Sequence, residues 1–337
     1  MRGIDPSSLI TPQRWYGPGS RRQFLRTVAA GIGAAGIAGR LFPLSPSIAH
    51  AGGAFVSTPV MKAAPSGYSW VANHGLDGAA YQAEFNALSA QGYRLIKISG
   101  YSVGGQDYYA SIWTMAPGPG WVGMHGVSGD DYQAQFTSLT AQGLRPVDIS
   151  GYEVGGSARY AALFEASSVP AYDARHGIPG GDYQAVADAN IASGLRRLRV
   201  SGFTVSGATY FASIWVTDDG TPWSARHGLD NAGFQAEFDS QTSQGLRLVD
   251  ISGYESNGAD YYTATFDASP TAFWISHHNM SNDAYQAAFN ENGAAGYMLT
   301  HIAGRRRRPG SLRRHLGGGH RPDRRYGRQG GRRQDRH

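Results

Sequence analysis

Apolar and polar positions along residues 70–120 follow two different periods. The stretch WVANHG is short and led by an aromatic residue. The stretch LDGAAYQAEFNALSAQG then places Tyr81, Phe85 and Leu88 at i, i+4 and i+7, which makes one apolar stripe on a helix. The stretches YRLIKISGYSV and DYYASIWTM follow, and they are rich in β-branched and aromatic residues, as strands are. The pattern therefore predicts the order β-α-β-β.

Residues with strong turn preferences mark where these elements begin and end. Asp77 is a preferred N-cap residue and directly precedes the predicted helix. Gly92 lies just after the helix, where a residue with left-handed backbone conformation commonly ends it. Later N-cap candidates at equivalent positions are Ser128, Asp230 and Ser281. Dipeptides that suit a tight hairpin with positive φ separate the last two strands; they are Gly104-Gly105, Gly155-Gly156, Ser206-Gly207 and Asn257-Gly258.

The whole pattern recurs every 51 residues without an insertion. A histidine column consists of His74, His125, His176, His227 and His278, and an aromatic column consists of Trp70, Trp121, Tyr172, Trp223 and Trp274. The units are residues 70–120, 121–171, 172–222, 223–273 and a truncated fifth unit, 274–304. Such a period is the signature of a repeat architecture.

One helix and three strands cannot close a core alone, so neighbouring repeats are expected to share one. The sequence predicts an α+β fold in which the repeats form a curved, mostly antiparallel sheet, a half-barrel or solenoid, with the helices on one face. A propeller is the alternative, although propeller blades normally lack a helix. The glycine of each SGY motif, such as Gly100, is expected to mark a bend or bulge that curves the sheet.

The net charge of +5 comes from the two ends of the chain. Residues 1–51 hold six arginines and one acidic residue, and residues 305–337 hold 13 arginines and two aspartates. Residues 52–304 instead carry 11 basic and 22 acidic side chains. Because a negative body repels nucleic acid and anionic lipid, we expect neither partner.

Residues 1–51 have the features of an export signal. Arg21 and Arg22 precede a small-residue apolar run, as in twin-arginine signals, and IAHA, which ends at Ala51, fits a cleavage site. Thr27 to Gly39 is too short to span a bilayer, which takes roughly 20 residues, so we expect no stable membrane span. The sequence predicts a periplasmic or extracellular monomer whose residues 52–69 are a linker. The alternative is an uncleaved anchor or a chance pair of arginines.

The repeat unit, with W-x3-HG, YQAEF, QG-[YL]-R and SGY-x5-[AD]-x-Y, resembles the bacterial tandem repeat domain (type 1) of exported proteins. In that family the repeats often precede a β-lactamase-like serine hydrolase domain, as they do in polyglycine hydrolases, where they form a curved half-barrel. The resemblance implies an accessory module without an established chemistry.

Catalytic motifs are absent from the sequence. The hydrolases of that family use a serine three residues before a lysine, but Lys62 and Lys97 are preceded at that spacing by Pro59 and Arg94. A metal site needs at least three ligands, and no second His or carboxylate column accompanies the histidines, so we predict no catalytic, cofactor or metal site. The histidines are expected to cap a turn and bond to the neighbouring repeat; a ligand or base role, or zinc capture at His277-His278-Asn279, is the alternative.

Aromatic and basic side chains offer a candidate ligand surface. It comprises Tyr108, Tyr160, Tyr210, Tyr261, Arg175 and Arg226. Rows of exposed aromatic rings could stack on sugar rings or peptide planes. The alternative is that strand alternation buries half of them and leaves the others lining the sheet.

The tail breaks the repeat at Gly304, where a tyrosine and a hairpin should follow. If two nucleotides are lost after this codon, the hidden frame permits AVDGQARYAAIWE, which is close to EVGGSARYAALFE of the second repeat. We therefore predict that residues 305–337 are frameshifted and disordered, and that the fifth repeat ends in an exposed strand edge. A genuine basic arm that binds nucleic acid is the alternative.

These patterns predict an exported, non-catalytic repeat module with a binding or accessory role at an extracytoplasmic polymer or protein. The expected partner is cell-wall glycan or peptide. The alternative is the N-terminal part of a β-lactamase-like serine hydrolase or peptidase that lacks its catalytic domain, and the chain would then be part of an enzyme.

Overall fold

The computed structural model describes residues 14–16, 54–63, 68–166, 172–270, 274–277 and 280–307. Most of the predicted export signal, His278 and the tail beyond residue 307 lie outside these ranges. Two strands precede the repeats; they are β1 (Arg14–Tyr16) and β2 (Ala54–Ala63). Among the described residues, no helix has both the length and the apolar character that a membrane crossing requires.

Each repeat folds in the predicted order β-α-β-β. Repeat 1 comprises β3 (Trp70–Asp77), α1 (Gly78–Ala90), β4 (Arg94–Val103) and β5 (Gln106–Thr114). Repeat 2 comprises β6 (Trp121–Val127), α2 (Gly129–Ala141), β7 (Leu144–Val154) and β8 (Ser157–Ala166). Repeat 3 comprises β9 (Tyr172–Pro179), α3 (Tyr183–Ala192), β10 (Leu195–Val205) and β11 (Ala208–Thr217). Repeat 4 comprises β12 (Trp223–Leu229), α4 (Asn231–Ser243), β13 (Arg247–Ser256) and β14 (Ala259–Asp267). Repeat 5 comprises β15 (Trp274–Ser276), β16 (Met280–Ser281), α5 (Asn282–Ala294) and β17 (Tyr297–Arg307).

The turn residues act as the sequence predicts. Asp77, Ser128 and Asp230 each accept a backbone N–H bond at a helix N-terminus. Helix α3 is shorter and begins at Tyr183, and its N-cap residue, Asp182, makes no side-chain capping bond. Both residues of each two-residue hairpin have positive φ, including the non-glycine residues Ser206 (49°) and Asn257 (51°), as a type I′ turn requires.

Within each of repeats 1–4 the three strands pair antiparallel, and the third strand lies between the first and the second. β1 adds a short parallel strand to the edge of the repeat 2 sheet beside β6. The α+β class, the repeat and the antiparallel pairing are therefore confirmed. The structure differs from the expected single curved sheet, because the repeats form separate sheets that meet through side chains.

Neighbouring repeats share their hydrophobic cores. Tyr81 and Phe85 of repeat 1 lie in one cluster with Trp121 and Leu163 of repeat 2, and similar clusters join repeats 2 and 3, 3 and 4, and 4 and 5. A fifth cluster joins Tyr285 and Phe289 of repeat 5 to Tyr101 and Ile112 of repeat 1. Five repeats with five interfaces form a ring, whereas an open arc would have four interfaces.

The second strands lie nearest the centre of this ring. β4, β7, β10, β13 and β17 are neighbours in that order, and β17 is again next to β4. Five separate sheets around one axis are the arrangement of the propeller alternative, with a helix added to each unit.

The predicted linker contains a strand that completes repeat 5. β2 lies between β15 and β16 on one side and β17 on the other, which is the place of the third strand in the other repeats. The pairing extends along β17 from Tyr297↔Ala63 to Arg307↔Ala54. The prediction of disorder from residue 305 onward is therefore wrong for residues 305–307, which belong to this strand. The expected exposed edge at the end of the fifth repeat is thus corrected, because a strand from the N-terminal side of the repeats covers β17.

Candidate functional site: the ring axis and its cavity

Each of the five second strands places one polar side chain at the same level of the axis. These residues, again 51 positions apart, are Lys97, Asp148, Arg199, Asp250 and His301, and we call them the axial charge cluster. Lys97 Nζ lies 2.6 Å from Asp148 Oδ1 and 3.9 Å from Asp250 Oδ1. Arg199 Nε lies 3.6 Å from Asp148 Oδ1 and 3.9 Å from Asp250 Oδ1. The cluster therefore links all of its charged members across the axis rather than only between neighbours.

The axial charge cluster is largely buried, so its charges must balance. The side chains of Lys97, Asp148 and Asp250 are each at most 7% exposed. Burial, together with the nearby Lys97 and Arg199, holds the pKa of His301 well below its ordinary value. A neutral histidine leaves two cations and two carboxylates, whose charges cancel.

The cluster also bonds to the backbone of neighbouring strands. Asp148 Oδ2 accepts the Ile98 N–H at 2.9 Å, and Asp250 Oδ2 accepts the Val200 N–H at 2.9 Å. His301 Nε2 lies 2.6 Å from the carbonyl oxygen of Ile251. These side chains thus replace the backbone hydrogen bonds that separate sheets cannot make to one another.

The SGY motifs make a second set of contacts around the axis. Ser150 Oγ accepts the Gly100 N–H at 3.0 Å, and the same bond recurs between the next two pairs of repeats, from Gly151 to Ser201 and from Gly202 to Ser252. Gly304 N donates to Ser99 Oγ at 3.2 Å, which joins repeat 5 to repeat 1. The bond that links repeats 1 to 4 therefore also joins repeat 5 to repeat 1, whereas alanine stands at residue 303, the serine position of repeat 5.

The SGY glycines make room for an aromatic ring of the next repeat. A Cβ on Gly100 would lie 2.3 Å from the Tyr152 ring, and one on Gly151 would lie 2.3 Å from the Phe203 ring. Their expected role as a bend is corrected, because the irregularity in each second strand lies further upstream, between Leu95 and Lys97 in repeat 1. The glycine is needed for close approach.

A cavity of about 500 Å³ opens at the axis beside these glycines. Every repeat contributes the glycine of its SGY position to the wall; these are Gly100, Gly151, Gly202, Gly253 and Gly304. The aromatic lining residues are Tyr101, Tyr152, Phe203 and Tyr254, and the polar ones include Ser102, Glu153, Thr204 and Glu255. Residues of the third and fourth hairpins also line it, so the cavity lies at the hairpin end of the ring.

The histidine column lies away from this cavity, at the contacts between repeats. The His125 ring packs edge-on against Tyr81 and Tyr109 of repeat 1, at 4.7 Å from each ring centre. His176 and His227 make the equivalent contacts to Tyr132 and Tyr183, and His74 packs on Tyr285 of repeat 5. His125 and His176 also bond to the backbone of the preceding repeat, at Gly78 and Gly129. Within the described ranges, no group of three histidine, aspartate, glutamate or cysteine side chains could hold a metal ion.

His125 is expected to make the fold sensitive to acid. Burial lowers its pKa to about 4, whereas an unfolded histidine has a pKa of about 6.5. As the pH falls below that value, the unfolded state binds a proton that the folded state binds only near pH 4, so stability is lost. Between pH 7 and about pH 4.5 the loss from this one group is about 2.5 kcal/mol.

Urea unfolding of the parent and of His125→Gln at both pH values measures this effect. The parent should lose about 2.5 kcal/mol more than the variant, because glutamine does not titrate. An equal loss in the two proteins would show that burial of His125 does not couple folding to pH.

The aromatic column also lies between repeats. Trp121 packs on Phe85 with ring centres 5.6 Å apart, and Trp70 packs on Phe289 of repeat 5 at the same separation. Tyr172 and Trp274 contact the helix residues Phe136 and Phe238 in the same way. Trp223 instead packs on Trp215 of strand β11, because the equivalent helix position is Ala187.

The structure does not bring the candidate ligand surface together. Three of its tyrosines are half-buried, and each stacks on one of the cavity aromatics. The stacked pairs are Tyr108 with Tyr101, Tyr210 with Phe203 and Tyr261 with Tyr254. Tyr160 belongs to a different position of the repeat and is buried in the core. Arg175 and Arg226 are about half exposed and lie beside Asp173 and Glu237, at 2.9 and 3.3 Å, outside the cavity lining.

The sequence matches the polyglycine hydrolase-like structural repeat family five times in tandem. The matched segments are residues 67–115, 118–167, 169–218, 220–269 and 272–311, which together exceed half of the chain. The chain belongs to this family of repeats. Each match coincides with one structural repeat, and the last extends to residue 311, beyond the break in the period at Gly304. In this member of the polyglycine hydrolase-like repeats, the axis is where side chains from all five units meet.

The axial charge cluster was missed because its five members differ in chemistry, so the column does not stand out as a repeated residue. Its signal is the alternation of Lys97, Asp148, Arg199 and Asp250 at the 51-residue period. That alternation indicates ion pairs around one axis only when the first and last repeats are known to be in contact.

Proposed function

We propose that this chain is an exported, non-catalytic accessory module that binds an extracytoplasmic polymer or protein at its axial cavity. The cavity supports the proposal because its volume of about 500 Å³ falls within the range of ligand sites, roughly 300–1,000 Å³. The wall of backbone glycines, hydroxyl groups and carboxylates suits the polar groups of a sugar ring or an extended peptide. Export by the twin-arginine route would place the module among such polymers.

The proposed ligand is a segment of cell-wall glycan or peptide that enters from the hairpin end. Glu153 and Glu255 place two carboxylates at the cavity wall, on alternate repeats. Glu153 Oε1 accepts the Gly156 N–H at 2.9 Å, so the hairpin helps to hold this carboxylate at the cavity. Such a lining favours a ligand with hydroxyl or amine donors.

A binding assay with purified wall polymer tests the proposal. Ser102→Trp places a large ring at the cavity wall and should weaken retention of the full-length chain on the polymer by about tenfold or more, since a bound segment would lose its space. Ala134→Trp adds the same ring on the exposed surface of α2 and should leave retention unchanged. Equal retention of both variants, with unchanged melting temperatures, would place binding elsewhere.

The family match supports a second proposal, in which the repeats are the N-terminal part of a serine hydrolase or peptidase. The family takes its description from polyglycine hydrolases. Sequencing the gene across codon 304 tests this proposal together with the proposed frameshift. A second open frame that encodes YAAIW and a later Ser-x-x-Lys motif would support it, and the absence of both would count against it.

A further inference from the structure

In repeat 5, β2 occupies the position between β15 and β17 that the third strand takes in the other repeats, and we call this position the slot. The order β15-β2-β17 repeats the order β12-β14-β13 of the previous unit. Met61 pairs with Leu299 as Phe266 pairs with Leu248, and the register shifts at the same point, before His301 and before Asp250. β2 therefore fits the slot residue by residue, although it comes from the other end of the repeat array.

β2 also supplies the side chains that the two flanking cores require. Val60 is 3% exposed and lies in the core shared by repeats 4 and 5. Met61 is 1% exposed and lies in the core shared by repeats 5 and 1. A strand in this slot thus holds the ring together on both sides.

β2 is held beside the other strands of its sheet by non-covalent contacts, because no hairpin connects it to them. The third strands of repeats 1–4 each follow their second strand through a two-residue hairpin, such as Gly104-Gly105. β2 instead precedes β17 by more than 200 residues, and Thr300 Oγ1 donates to the Val60 carbonyl oxygen across a sequence separation of 240 residues. A slot that holds a strand by backbone pairing and side-chain pockets has the features of a peptide site formed by strand addition.

The slot also accommodates the proline of β2, Pro59. Pro59 lacks an N–H and would disrupt a continuous central strand. In repeat 5 the first strand is interrupted, since β15 pairs as far as Ser276↔Val60 and β16 resumes at Met280↔Ser57. Pro59 stands opposite this interruption, so β2 matches the slot at this point as well.

We propose that the slot between β15 and β17 is a strand-accepting peptide site, that β2 is its resident ligand, and that an added extended peptide of the same pattern can replace it. The ligand class is a ten-residue strand with an apolar side chain at the place of Val60 and a large apolar one at the place of Met61. Trp113, Phe164, Trp215 and Phe266 stand at the Met61 position in the other repeats. The place therefore takes a large apolar side chain in every repeat.

The test uses the full chain with a specific protease site placed between residues 64 and 67. After cleavage, β2 is held only by the contacts described above. A fluorescent peptide of residues 54–63 should then enter the cleaved protein at one peptide per chain. An unlabelled peptide of residues 157–166, which carries Leu163 at the Val60 place and Phe164 at the Met61 place, should compete with it. The uncleaved chain, whose own β2 stays tethered, should take up at least tenfold less label.

A peptide of residues 54–63 with Met61→Asp is the matched control. It should bind about 100-fold more weakly, because it would place an unpaired carboxylate in an apolar core. If the cleaved chain loses solubility, rescue by the parent peptide and not by the control supports the site. Failure of the cleaved chain to take up the parent peptide, or equal uptake of the control, overturns the proposal.

Discussion

Asp148→Ala should lower the free energy of unfolding by about 3–5 kcal/mol, because it removes the nearer of the two carboxylates that pair with the buried Lys97. Lys97 Nζ lies 2.6 Å from this carboxylate, and the Lys97 side chain is 7% exposed. The Ile98 N–H would also lose its acceptor. Urea unfolding at pH 7 measures the loss as a shift of the midpoint at constant slope.

Two further variants make the result specific to the axial charge cluster. Asp182→Ala removes an exposed carboxylate that makes no capping bond, and it should change stability by no more than about 0.5 kcal/mol. Lys97→Met combined with Asp148→Leu should recover part of the loss, since it removes both charges together. A loss in Asp148→Ala no larger than that in Asp182→Ala would mean that the cluster contributes nothing to stability.

Gly151→Ala is the second change with a large expected effect. The added Cβ would lie 2.3 Å from Phe203 Cε1, and the ring is held by Tyr160 and Tyr210 with centres 5.8 and 5.9 Å away. Because the neighbouring side chains leave the ring little room to move, the overlap should cost about 3 kcal/mol or more. Thermal or urea unfolding of the variant measures the cost.

The matched control is Gly181→Ala, where an added Cβ meets nothing within 4 Å and φ is not positive. It should be within about 0.5 kcal/mol of the parent. Phe203→Ala should destabilise the parent but should cost less in the Gly151→Ala background, where it relieves the overlap. If the stability losses of the two substitutions simply add, the added Cβ at position 151 does not clash with the Phe203 ring.

The sequence was sufficient to predict every element whose signal is local. Asp77 and Ser128 identified helix starts, and Asn257-Gly258 identified a hairpin, because each acts through its own backbone within four residues. The shared cores followed from the size of one unit, which cannot bury its own apolar stripe. The histidines were placed between repeats because their column had no companion ligands.

Ring closure could not be predicted because its contacts are remote in sequence. β2 contains Pro59, which argues against a central strand, and no turn signal connects β2 to β17. The axial cavity follows from that closure, since Gly304 reaches Ser99 only when repeat 5 meets repeat 1. The candidate aromatic surface combined positions such as Tyr108 and Tyr160, which lie one residue apart in the repeat and therefore point to opposite faces of their strands.

The ring itself can be tested by distance measurements between helices. Each helix has an exposed alanine at the same place in the repeat; these are Ala83, Ala134, Ala185, Ala236 and Ala287. The chain contains no cysteine, so Ala→Cys pairs can carry spin labels without a background. The pair at 83 and 134 calibrates the spacing of adjacent repeats, and the pair at 83 and 185 calibrates the spacing of repeats two apart.

The decisive measurement is the electron–electron distance between labels at 83 and 287. A closed ring predicts a distribution that overlaps that of the 83–134 pair, because repeats 5 and 1 are then neighbours. A distance longer than that of the 83–185 pair would mean an open arc, and it would contradict the ring, the axial cavity and the closing role of β2 together.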